Sequence, residues 1–132
     1  MDLGVKDKIF ALVGGSTGMG YATAKILCEE GATCVLIARN KARADEVAAQ
    51  LSNTSIGKAI AIEADGTNNQ DLKAAIDQAE ENYGRLDGLA VTAGPMLEQT
   101  PFEDVTDDVW SAYFETQLML TVRACRAALP HL

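Results

Sequence analysis

Ile9-Phe10-Ala11-Leu12-Val13-Gly14-Gly15-Ser16-Thr17-Gly18-Met19-Gly20 is the stretch that decides the fold. Its apolar run, Ile9 to Val13, has strand length, and glycines at 14, 18 and 20 then remove side chains where a ligand or another backbone must come close. A helical pattern opens directly behind them. A strand that delivers the chain to a tight turn at a helix N-terminus points unpaired N–H groups at an anion, and a dinucleotide pyrophosphate is the natural guest.

The spacing Gly14-x-x-x-Gly18-x-Gly20 is neither G-x-G-x-x-G nor the G-x-x-x-x-G-K-S/T of a triphosphate-binding loop. Tyr21, not Lys, follows Gly20. Ser16 and Thr17 supply neutral hydroxyl donors suited to phosphate or ribose oxygens. Alone, the glycine trio also reads as an ordinary Gly-rich turn, so the rest of the chain supplies the context.

Apolar runs of strand length alternate with stretches of helical period, the pattern of βαβ units around a parallel sheet. Strands are expected over Lys8–Val13, Thr33–Ala38, Lys58–Glu63 and Leu86–Thr92. The first helix is expected over Gly18–Glu30, with Ala22, Ile26 and Leu27 on the sheet and Gly31 as its stop. Asn40 can cap the second, which runs to about Leu51 before a polar loop over Ser52–Gly57. Thr67-Asn68-Asn69-Gln70 has the form of a capping box for the third, which carries Leu72, Ile76 and Ala79 and closes at Tyr83-Gly84. After a loop from Pro95 to Phe102, Thr106-Asp107-Asp108 opens a long last helix reaching almost to Pro130. Val109, Tyr113, Thr116 and Leu120 fall on one stripe of it; Trp110, Phe114, Leu118, Thr121 and Cys125 fall on a second that still needs a partner.

With Val13-Gly14-Gly15-Ser16-Thr17-Gly18-Met19-Gly20 and Val91-Thr92-Ala93-Gly94, the chain resembles the short-chain dehydrogenase/reductase family, whose motifs are T-G-x-x-x-G-x-G and N-N-A-G. Val13 stands for the family's Thr, and Val91 and Thr92 for its two Asn. The resemblance covers the whole chain. It implies an α/β fold, a three-layer Rossmann-type doubly wound parallel sheet of strand order 3-2-1-4, in a single domain over 1–132 that stops after the long helix. It also implies hydride transfer between a nicotinamide cofactor and a carbonyl or alcohol.

Cofactor-binding residues follow from the motifs: Gly14, Ser16, Thr17, Gly18, Met19 and Gly20 at the pyrophosphate turn, and Thr92, Ala93 and Gly94 where small side chains line the crevice beyond strand four. The end of strand two, where an acid would accept from the adenosine ribose hydroxyls of NAD, reads Ala38-Arg39-Asn40. A guanidinium there is ready to pair with a 2′-phosphate, so NADP(H) is favoured over NAD(H). Asp65, followed by Gly66, reads by itself as a loop-capping residue; the resemblance implies a contact with the adenine amino group. Gln117 lies thirteen residues before Pro130, where the family's catalytic helix carries an Asn that helps hold a water in a proton relay. Gln offers the same amide one methylene further out, or is simply a polar residue on a helix surface. The family's Ser and Tyr-x-x-x-Lys come after this helix and are not among these residues. Tyr21-Ala22-Thr23-Ala24-Lys25 has the right letters beside the pyrophosphate turn, which is the wrong place.

At 132 residues and a net charge of −8, the chain is one domain whose acidity argues against nucleic acid. Its three cysteines and single His form no metal-binding pattern and no even disulfide set, which suits a reducing compartment. No signal-length apolar segment or membrane-spanning run is present, so a cytoplasmic protein is expected. The expected role is the cofactor-binding half of an NADP-dependent oxidoreductase, inactive by itself and oligomeric through the helix over 106–129. The alternatives are a stand-alone nucleotide-binding or interaction module and a degenerate relative with an empty crevice.

Overall fold

The computed structural model describes residues 2–94 and 100–132. Four parallel strands, β1 (Ile9–Val13), β2 (Thr33–Ala38), β3 (Lys58–Glu63) and β4 (Gly88–Val91), form a sheet of order β3-β2-β1-β4. The expected 3-2-1-4 order is thus present. Strand periodicity splits the core in two. Ile9, Ala11, Val13, Val35, Ile37 and Ile62 face one side, where they meet α3 (Asn69–Tyr83) and α5 (Leu120–Ala128). Leu12, Cys34, Leu36 and Ala59 face the other, under α1 (Gly18–Glu29) and α2 (Lys41–Thr54). The result is helix, sheet, helix.

Several boundaries differ from expectation. β1 starts at Ile9 and β4 is confined to Gly88–Val91, because the amides of Thr92 and Ala93 both turn to the Val13 carbonyl, at 2.9 and 3.0 Å, instead of extending the ladder. α2 continues to Thr54, so the loop expected from Ser52 is helical at its start. Ser52 fastens this last turn to β3, accepting from the Ala59 amide at 2.9 Å and donating to its carbonyl at 3.1 Å.

The buried stripe of α1 is Gly20, Ala24 and Cys28 rather than Ala22 and Ile26. Ile26 is 51% exposed, whereas Leu27 packs partly against the core. Small residues let the helix lie close on the sheet, and that choice of face outweighs side-chain hydrophobicity. At α3 the cap is Asn68, whose side chain accepts from the amides of Gln70 and Asp71 at 3.0 and 3.2 Å; Thr67 is engaged by Asp65 instead.

The long last helix exists but is not uniform. α4 (Asp107–Tyr113), capped by the Thr106 hydroxyl accepting from the Val109 amide, runs into a π turn over Phe114–Met119 before α5. Leu120, Ala124 and Ala128 provide its buried stripe; Val109, expected on that stripe, is 38% exposed. The second stripe is open, with Trp110, Phe114 and Leu118 at 50%, 61% and 47% exposure. Of the loop expected from Pro95 to Phe102, positions 95–99 lie outside the described residues. No helix among those described is long and apolar enough to cross a membrane.

Candidate functional site

Parallel pairing brings the C-terminal ends of all four strands to one rim, and a cleft of about 820 Å³ opens there. Gly14, Ser16, Thr17, Arg39, Asp65, Gly66, Thr92, Ala93 and Gly94 all line it, drawn from the turns that follow all four strands. The rim is tied together by backbone bonds. Gly14 donates to the Ile37 carbonyl at 2.8 Å, which joins β1 to β2, while the Val13 carbonyl holds β4 as described above. The Thr92 hydroxyl donates toward the Gly14 carbonyl at 3.3 Å. In this way Thr92, where the family motif has Asn, locks the glycine turn to the end of β4.

Close contact explains Gly14 and Gly20 but not Gly18. Gly14 adopts φ +91°, and a Cβ on it would stand 2.8 Å from the Ala93 Cα, so two backbones touch where the cleft floor forms. A Cβ at Gly20 would stand 2.5 Å from Thr92 Oγ1 and closer still to the Gly14 carbonyl oxygen. Gly20 therefore serves helix-to-strand packing. Gly18, at φ +52°, has open space above it. Gly18, Met19 and Gly20 are not in the cleft lining, and Met19 is 77% exposed.

Asp65 is engaged as a turn cap at the edge of the cleft. Its Oδ1 accepts from the Thr67 amide at 2.9 Å and the Thr67 hydroxyl at 2.7 Å, which is the turn-capping role. Those two bonds, helped by the Arg39 charge, hold the carboxyl below the usual carboxylate range. Asp65 still lines the cleft, opposite the basic end of β2.

Gln117 does not line the cleft but meets its edge. Its carboxamide lies over Gly94, so that a Cβ there would stand 2.6 Å from Nε2 and 2.8 Å from Oε1. The π turn makes this possible. Leu120 donates its amide to the Glu115 carbonyl five residues back, and Arg123 reaches across the turn to Glu115 at 2.8 Å. The wider turn allows consecutive residues to serve one place: Thr116 lines the cleft while Gln117 covers Gly94. Such turns gather at functional sites.

Lys41, Arg43, Thr116 and Leu120 join the lining although no motif marks them. The signal for Arg43 was available: a basic residue three places after a capping Asn falls in the first helical turn, at the ligand end of the sheet. No signal foretold Thr116, whose placement depends on the π turn. Tyr21 and Lys25 are absent from the lining, and Lys25 pairs with Glu29 on the helix surface at 3.7 Å.

The family model for the short chain dehydrogenase matches residues 8–132. The chain belongs to the short-chain dehydrogenase family. A Mycobacterium tuberculosis reductase of a hydroxy-methyl-oxo-hexahydroindene-carboxyl-CoA is 39% identical over 113 residues, covering 86% of this chain and 43% of the relative. Among solved structures, the L-sorbose reductase of Gluconobacter frateurii, complexed with NADPH and L-sorbose, is 29% identical with a TM-score of 0.89. That match covers 99% of this chain and 49% of the reductase. An NADH-dependent reductase complexed with NAD shares the fold at 22% identity and TM-score 0.88, over 100% of this chain and 55% of its own. The chain spans about half the length of the curated relatives it matches.

Proposed function

We propose that the chain forms the cofactor-binding part of an NADP-dependent short-chain oxidoreductase that moves a hydride between the nicotinamide and a carbonyl or alcohol. The observation that carries this reading is Arg39, standing in the cleft at the end of β2 with no acid beside it on that strand end. Among the described residues it forms no salt bridge, so the guanidinium is available for a 2′-phosphate.

The residues fit a dinucleotide. The Gly14 turn leaves a floor of bare backbone, Ser16 and Thr17 bring hydroxyls to the pyrophosphate, and Asp65 with Gly66 holds the adenine end. Thr92, Ala93 and Gly94 leave room for the nicotinamide side. The dinucleotide supplies the hydride when bound. Gln117, set over Gly94, takes the place of the family's Asn and offers its amide to water at that end of the cleft. Within these 132 residues the only Tyr-x-x-x-Lys is Tyr21 to Lys25, on a helix surface, so the chain by itself binds cofactor without turnover. The exposed stripe of Trp110, Phe114 and Leu118 supports self-association through the last helix, as the family resemblance implies. The three free thiols suit a reducing, cytoplasmic setting.

Titration of nicotinamide fluorescence with the chain tests this. Saturable binding of NADPH in preference to NADH supports the reading. Failure of the folded chain to bind either cofactor would leave a structural relative with an empty crevice.

A further inference from the structure

The charge of this cleft runs against the charge of the chain. The protein carries a net −8 with 11 Lys and Arg, yet Arg39, Lys41 and Arg43 fall within five positions and all line the same cavity. Lys41 is occupied by Asp45, its neighbour one helical turn on. Asp65, the acid in the lining, has Oδ1 doubly bonded to Thr67. Arg39 and Arg43 are left, and neither forms a salt bridge among the described residues.

Arg43 is also held in place. The Asn40 side chain accepts its backbone amide at 3.0 Å, which fixes Arg43 in the first turn of α2, with both ends of this short segment opening onto the cavity. A phosphate monoester presents three acceptor oxygens and close to two negative charges, more than one guanidinium fork can satisfy. Two forks on a rigid turn can do so.

We infer that Arg43 is a second specificity-determining residue, acting with Arg39 as a two-armed clamp on the 2′-phosphate of the cofactor; this rests on the NADP reading above. Arg39 approaches from the strand end and Arg43 from the helix, while the Asn40 cap fixes the geometry between them. The paired Lys41 contributes field but not a donor fork.

Dissociation constants for NADPH and NADH, measured by fluorescence on the full chain, test the clamp. Arg43→Gln is expected to weaken NADPH by about tenfold, the scale of one charge-assisted hydrogen-bonding group, and to leave NADH within about twofold. Arg43→Lys should keep part of the NADPH affinity. Lys58→Gln, a charge removed at the opposite end of the sheet, should leave both constants as in the parent and so exclude a net-charge effect. Circular dichroism of each variant checks that the fold is retained. Unchanged NADPH affinity in Arg43→Gln, with Arg39→Gln losing it, would overturn the second arm and spare the NADP reading. Equal losses of NADPH and NADH in Arg43→Gln would overturn it in favour of a structural role. A parent chain indifferent to the 2′-phosphate, and unaffected by Arg39→Gln, would overturn both.

Discussion

The carboxamide of Gln117 occupies the space that a side chain at Gly94 would need, which couples the π turn of the last helix to the exit of β4. Among the described residues, the atoms nearest a methyl group at Gly94 belong to the end of the Gln117 side chain, whereas one at Gly20 would meet the fixed carbonyl of Gly14. Gly94→Ala is therefore expected to cost less than Gly20→Ala, where overpacking against backbone costs about 1–3 kcal/mol. Urea denaturation of the two variants checks the order. A larger loss at Gly94 would show that the Gln117 amide is held rigidly.

Arg39→Asp should exchange cofactor preference. A carboxylate repels the 2′-phosphate and accepts from ribose hydroxyls, so a shift of a few kcal/mol in relative affinity, on the order of two or three charge-assisted bonds, is expected toward NADH. Calorimetry with both cofactors measures it. Identical relative affinities before and after the change would remove Arg39 from the site.

Asp87 should anchor the opposite end of the sheet. Its Oδ2 accepts from the Ile9 amide at 2.9 Å, and Oδ1 faces Lys8 at 3.6 Å and Arg85 in closer contact. Partial burial works against its ionisation, but the Arg85 bond, the Ile9 amide and the Lys8 charge outweigh it and hold the carboxyl below its usual range. A depressed pKa in the folded state adds stability that is complete above the unfolded value, about 3.9, and is lost as pH falls through the folded one. Asp65 and Asp77 are held down as well, Asp65 by Thr67 and Asp77 by Lys73 and then His131, so acid should destabilise the chain below about pH 4. Asp87→Asn should cost about 1–2 kcal/mol at neutral pH and flatten that acid limb. Thermal unfolding as a function of pH reads both effects, and an unaltered acid limb would acquit Asp87.

The open stripe of the last helix should govern assembly. Phe102 meets Trp110 edge-on with ring centroids 6.0 Å apart, and both rings remain largely exposed with Phe114 and Leu118 nearby. Analytical ultracentrifugation at tens of micromolar, about the range in which weak interfaces dissociate, should find the parent chain self-associated and the Trp110→Glu, Phe114→Glu double variant shifted to monomer. A monomeric parent would place that stripe against something other than a second copy.

Much of this was legible because the deciding signals are local. The apolar runs of Ile9–Val13 and Thr33–Ala38, buried on both faces of the sheet, and Asn40 as a cap depend on near neighbours, and each forms the element that its sequence indicates. What escaped depends on distant partners. Glu115 and Arg123 bracket a π turn that no heptad count foretells. The face of α1 was set by how closely Gly20, Ala24 and Cys28 can approach the sheet, a property of packing rather than of hydrophobic spacing. Thr67 left the capping box because Asp65 competes for it. Asp87 carries no local signal, since its value appears only when the start of β1 lies beside it.

The cleft has no local version. Its floor and walls come from turns at Gly14, Arg39, Asp65 and Thr92, and the bond from Thr92 to Gly14 spans 78 positions in sequence. A nucleotide that binds here binds only a chain whose four strands are already in register, so occupancy and sheet assembly are linked equilibria. A ligand present at one hundred times its dissociation constant would add about 2.7 kcal/mol to the unfolding free energy of the whole sheet. On the function proposed above, cofactor availability would set the folded fraction of the chain as well as what it carries.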